Sequence, residues 1–156
     1  MNQQIVPLSQ TNSGDLWLMA DWQRLWLSIQ ARPWRSLALV PAGVGAPLDT
    51  TVHIATALAR TGMRHIGTQI HVADGTDLRL EDATELTVQV RESSRTDLVI
   101  VALAPVNVNP VTVPLAQAAD CAVLCVLLNQ MRLTDAKHTT DEIGHDHFVG
   151  AVTLGG

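Results

Sequence analysis

The residues best placed to do chemistry form one short run, Pro41-Ala42-Gly43-Val44-Gly45-Ala46-Pro47-Leu48-Asp49-Thr50-Thr51. An apolar stretch precedes it and a helical pattern follows. A strand, a glycine-containing loop and a helix N-terminus make the geometry that cradles phosphate, because free backbone N–H groups and the helix dipole converge on an anion. The same run reads as G-x-G-x-x-L, one glycine short of a dinucleotide fingerprint, with Asp74 available as a ribose-binding acid. The missing glycine and the proline beside the helix start weigh against that reading. A second cluster is His145-Asp146-His147, with His138 upstream. Imidazoles at i and i+2 on a strand share a face that a metal can use. Without a clear third and fourth ligand, a solvated turn and no metal are expected. His53 falls on a helix as a surface residue, and His71 falls in a strand. Ser93, Ser94 and Arg95 read as a polar turn, with no recognisable triad spacing around them.

These groups must be positioned by alternating strands and helices. Strands are expected at 36–41 (SLALVP), 67–72 (GTQIHV), 97–105 (DLVIVALAP), 121–129 (CAVLCVLLN) and 148–156 (FVGAVTLGG). Helices are expected at about 15–30, 50–61, 111–119 and 134–143. Between Asp82 and Ser94 the segment ELTVQV alternates like a strand, yet a helix is equally compatible. Several strands are apolar on both faces, which implies a parallel sheet covered on both sides, with its functional loops at the carboxyl ends of the strands. Residues 1–12 are polar without periodicity and read as a flexible tail. Residues 13–34 read as a Trp-rich amphipathic helix and 35–156 as the α/β core.

All four Trp residues (17, 22, 26 and 34) fall in the first 34 positions, while the rest of the chain has one Phe and no Tyr. Leu18, Trp22, Leu25, Trp26 and Ile29 recur at helical spacing. Such a stripe pins the helix on the sheet, faces a partner, where Trp is enriched, or does both.

At 156 residues, 47% hydrophobic and 16% charged, the chain is long enough for one buried core and too apolar for disorder. A net charge of −5 without a basic stripe argues against nucleic acid. The start MNQQIVPLSQ has no signal-peptide pattern, and no apolar run approaches the roughly 20 residues that span a bilayer, so a cytoplasmic location is expected. Cys121 and Cys125 sit on one strand about 13 Å apart at strand rise, too far for a disulfide, so buried free thiols are expected.

Over residues 20 to 156 the chain resembles the chain-length-regulator ATPases and bacterial tyrosine kinases of exopolysaccharide synthesis and export, relatives of the MinD and ParA ATPases. In that family the first loop reads approximately S-A-x-P-G-E-G-K-S-T-T. Ala42, Gly43, Gly45, Thr50 and Thr51 fall at matching positions. Pro47 stands at the last loop glycine and lacks the N–H a phosphate oxygen would accept from. Leu48 replaces the lysine, and Asp49 replaces the Mg²⁺-binding hydroxyl. Asp49 is expected to N-cap the helix, occupying the amides a phosphate needs and repelling an anion. TDLVIVALAPV resembles Y-D-Y-V-I-I-D-T-P-P, with Ala102 at the acid that holds Mg²⁺ through water. The second family acid is expected near Thr68 to His71, where GTQIHV offers none. DWQRLWL resembles the E-x-x-R-x-x-R helix that contacts a neighbouring subunit, with Asp21 and Arg24 retained and Leu27 in place of the last Arg. PVNVNPVTVPLAQAADCAVLCVLLNQMRLTDA resembles the family's segment after the Walker B strand. With no tyrosine in the chain, a phosphorylated tyrosine tail is excluded.

The resemblance implies a three-layer α/β/α fold with a mainly parallel sheet, P-loop NTPase-like but degenerate. The substitutions imply the loss of phosphoryl transfer, which depends on positioning and on neutralised charge. The expectation is therefore a catalytically inactive protein without a cofactor. It would be a regulatory or assembly partner of a membrane-bound polysaccharide chain-length or export protein, or a homo-oligomer. Asp21, Trp22, Arg24 and Trp26 are the candidate interface. The alternative is a nucleotide- or small-molecule-binding enzyme that reuses the loop with Asp49, Asp74 or the histidine cluster in new roles. The apolar and amide residues expected at the strand ends, Pro41, Ala42, Ala104, Pro105 and Asn129, favour the non-enzyme reading.

Overall fold

Repeated β-branched and aliphatic runs form a six-stranded, all-parallel sheet in a computed structural model that describes residues 2–7, 20–43, 49–127 and 132–155. In chain order the elements are β1 (Asn2–Pro7), α1 (Ala20–Ile29), β2 (Ser36–Pro41), α2 (Thr50–Ile66), β3 (Ile70–Gly75) and α3 (Leu80–Ser93). They continue with β4 (Leu98–Leu103), α4 (Thr112–Ala118), β5 (Cys121–Leu127), α5 (Leu133–Ile143) and β6 (Phe148–Gly155). The spatial order is β1-β6-β5-β2-β4-β3, with β2 in the middle between β4 and β5. The expected three-layer α/β/α architecture holds. β2 is buried at every position, as a strand between two covered faces must be.

Alternate residues of the strands feed two cores. One gathers Leu37, Leu39, Ile100, Val123 and Val152 with α1 and α2; the other gathers Ala38, Val40, Val101, Leu124 and Ala151 with α4 and parts of α3 and α5. In the first core Trp22 and Trp26 are 0% and 1% exposed. That corrects their place as interface candidates: their rings seal α1 onto the sheet and α2. Trp26 and Trp34 meet edge to face at 5.9 Å, and the Trp34 indole N–H donates to the Ile29 carbonyl at 3.1 Å. What α1 presents outward is Asp21, Arg24 and Leu27, the last 61% exposed. Trp17 lies outside the described residues.

Besides β3, which is shifted to Ile70–Gly75, three segments differ from the sequence reading or resolve it. Asn2–Pro7, expected within a flexible tail, is an edge strand in parallel register with Gly150–Gly155. A polar segment can still satisfy its backbone by pairing with an open edge. α2 continues past Thr61 because Gly62 stays helical. A Cβ there would lie 2.4 Å from the Trp26 ring, so only glycine lets α1 and α2 approach this closely. The helix ends at Gly67, whose φ of 68° is left-handed and whose N–H donates to the Met63 carbonyl. The ambiguous segment 82–94 is helix α3. Ala83, Leu86 and Val90 follow its inward stripe, whereas Val88, which made the strand-like alternation, is 46% exposed.

Candidate functional site

Parallel strands deliver the loop of interest to one end of the sheet. The Ala42 amide still donates to the Cys125 carbonyl at 2.8 Å, so the chain leaves β2 tied to β5. The Thr139 hydroxyl donates to the Ala42 carbonyl at 2.9 Å, anchoring the same residue from α5. Gly43 is glycine for steric reasons: a Cβ there would lie 2.9 Å from the Cβ of Asp135. Asp135 and Thr139 were not singled out from the sequence, because only tertiary packing brings α5 over this loop. Residues 44–48 are outside the described residues, and with them Gly45, Pro47 and Leu48; Asn129 is outside them as well.

On the far side of the loop Asp49 precedes α2 with φ −83° and ψ 0°, and its side chain makes no cap hydrogen bond. The expected N-cap is thereby corrected. A capping residue needs extended backbone to turn its carboxylate back onto the helix amides. Here the carboxylate points out, 64% exposed and 3.7 Å from His53 Nε2. Thr50 and Thr51 are buried, and the Thr51 hydroxyl donates to the Leu103 carbonyl at 2.8 Å, locking α2 to the end of β4.

Ala102 is fully buried on β4, in register with Leu39 on one side and Asp74 on the other. β3 runs three residues beyond its expected end at Val72; Thr68 to His71 hold no acid, and Asp74, read from the sequence as an acid that could end this strand, lies near its carboxyl end, level with Ala102. Asp74 is exposed and turns on itself, accepting the Thr76 backbone N–H at 3.0 Å and the Thr76 hydroxyl at 2.6 Å. Gly75 permits the close passage to β4, since a Cβ would lie 2.8 Å from a Leu103 methyl. Ala42 and Gly43 after β2, and Leu103, Ala104 and Pro105 at the end of β4, carry no ionisable side chain.

The histidine cluster sits at the opposite, amino end of the sheet, in a 3₁₀ turn before β6. It lies in a turn, as the sequence reading favours, so the shared strand face that a metal could use does not form. His145 Nε2 lies 2.6 Å from Asp141, and His147 Nε2 lies 2.6 Å from the Ala116 carbonyl. Arg32 closes the turn by donating to the Asp146 and His147 carbonyls at 2.8 and 2.7 Å. Hydrogen bonds from Lys137 and His145 hold the Asp141 carboxyl below its usual range. Among the described residues no group of three or more His, Cys, Asp or Glu could hold a metal ion.

Both cysteines are buried and free, as expected. Burial pushes the Cys121 thiol up to about 11, against the opposing pull of Arg32, and the Cys125 thiol up to about 12. Neither is a nucleophile at neutral pH. His71 pairs with Asp97 at 2.8 Å. Asp21 and Arg24 lie one turn apart on the exposed side of α1, 3.4 Å from each other.

No family model matches the chain, and no curated protein matches it. It is similar in structure to the chimerical protein CapA2B2, with a TM-score of 0.66 and 12% identity over 86% of this chain and 83% of that chain. At that identity the likeness concerns the fold alone, a three-layer α/β/α arrangement around a parallel sheet. No helix among the described residues is long and apolar enough to cross a membrane.

Proposed function

We propose that this protein is a P-loop-type fold without phosphoryl-transfer chemistry, retained as a regulatory or assembly partner in exopolysaccharide biosynthesis or export. The observation that carries the reading is Ala102. It occupies the strand position where the resemblance expects a metal-holding acid, it is fully buried between Leu39 and Asp74, and its methyl side chain offers no ligand atom to an ion or its water. The exposed Asp49 carboxylate supports it, because a negative charge at the start of α2 opposes a phosphate there. Leu48 removes the cation that would offset that repulsion. The pathway comes from the sequence resemblance alone. It suggests a membrane-bound chain-length or export protein as the partner, or further copies of the chain.

Asp74 favours one second reading, a small-molecule or nucleotide site that uses this acid at the end of β3. Isothermal titration of the protein with ATP and with ADP, each with Mg²⁺, separates the two. The expected result is no binding into the millimolar range. Micromolar binding would sink the non-nucleotide reading and move attention to Asp74, whose replacement by Asn should then weaken the ligand.

A further inference from the structure

Chain charge is unevenly placed. Seven of the 15 carboxylates and three of the ten Lys and Arg residues fall between positions 74 and 97, so this stretch contributes −4 of the whole chain's −5. It folds as the end of β3, helix α3 and the start of β4. β3 is the last strand of the sheet, and no described strand pairs with its outer edge. An open edge presents a row of backbone donors and acceptors, which proteins ordinarily guard with lysine, proline or a bulge. β3 contains neither Lys nor Pro, and its register with β4 is unbroken over all six residues.

Beside that edge α3 stands off the sheet and leaves a cleft of about 340 Å³. Its lining includes Ala73, Leu86, Val90 and Val99, with Gln89 and Ser93 on the helix side. Gln89 is bonded to Glu85 at 3.4 Å, and Glu92 lies one turn further along the same side of α3, so carboxylates follow the cleft's outer rim. Asp74 stands at one end of the cleft, and Asp97, paired with His71, at the other. Val72 on the strand is 36% exposed, and Leu80 and Val88 on the helix are 70% and 46% exposed.

We propose that the outer edge of β3 and the acidic cleft against α3 form a docking site for an extended segment of a partner protein in which basic and apolar residues alternate. The segment adds a seventh strand. Backbone hydrogen bonds to the edge hold it, and side chains of alternate residues point to the two sides of the sheet. On the α3 side the aliphatic stems of the Lys or Arg side chains cross Leu86 and Val90 and their charged ends meet the carboxylate rim, while the alternate apolar side chains lie on the other face beside Val72. The acidic rim selects this occupant over a second copy of the chain, whose β3 region would bring the same negative charge against its own. The site is separate from the loop after β2 and does not depend on whether that loop binds nucleotide.

The probe is an end-blocked, fluorescein-labelled eight-residue peptide of alternating Lys and Val, compared with one of alternating Glu and Val, read by fluorescence anisotropy at low salt. Amide hydrogen exchange locates the contact. The Lys–Val peptide is expected to bind at least about tenfold more tightly than the Glu–Val peptide. It should weaken as salt rises and slow exchange at residues 70–75. The exposed pair Glu85→Lys and Glu92→Lys should lower its affinity by about tenfold with the far-UV spectrum unchanged. Equal affinity for the two peptides, protection elsewhere in the chain, or indifference to the double reversal would each overturn the proposal. So would self-association that slows exchange of the same amides without peptide.

Discussion

α2 and α3 each follow a strand and each return the chain to the sheet, yet they are held very differently. Nine of the 17 residues of α2 are buried, against only Ala83 among the 14 of α3. The difference begins in composition. α2 carries Ile54, Ala55, Leu58 and Gly62 on one side and receives the Trp rings of α1. α3 carries four carboxylates and only a thin apolar stripe of Ala83, Leu86 and Val90. One face of the sheet is sealed by large side chains, while the other keeps a cleft at its edge. Stability is concentrated in the first region, and accessible surface in the second.

The strongest way to break that contrast is Trp26→Ala. Removing a ring packed on Gly62 and Trp34 should cost about 3–5 kcal/mol, read as a lower urea midpoint. An effect below about 1 kcal/mol would mean that α1 is not the clamp described. Gly62→Ala should follow at about 1–3 kcal/mol, because the new methyl has nowhere to go against the same ring. If it stabilised the protein, as a helix-favouring change would without the clash, the close approach of α1 and α2 would be wrong. At the small end, Val88→Ala on α3 should stabilise by no more than about 0.5 kcal/mol, since an exposed β-branched residue gives way to a better helix former. A large loss there would return the segment 82–94 to the strand that its alternation suggests.

Much of this contrast was legible in the chain and some of it was not. Strands β2, β4, β5 and β6 declare themselves because strands covered on both faces must be apolar throughout, a pattern that survives any error of a residue or two. Leu86, Val88 and Val90 did not declare themselves, since alternate apolar residues suit a strand and a thin helical stripe equally. The reading of Trp22 and Trp26 stayed open for a related reason. A Trp stripe looks the same whether a sheet or a partner covers it, and burial is a property of the assembled fold. At the site, the glycines of the loop and Leu48 were visible in the chain. The approach of Asp135 to Gly43 joins residues far apart in sequence and left no local signal.

By itself the sequence determined the alternation of strands and helices, the parallel apolar sheet, the buried free thiols and the absence of tyrosine, because each follows from local pattern or composition. Tertiary structure alone decided that Asn2–Pro7 forms one edge strand of the sheet and that Asp49 faces water without capping α2. It alone placed Asp74 level with Ala102 and left the outer edge of β3 without a partner among the described strands. Those outcomes depend on which backbone groups find partners across the fold and on the register between strands, and neither is encoded in the spacing of residues along a single segment.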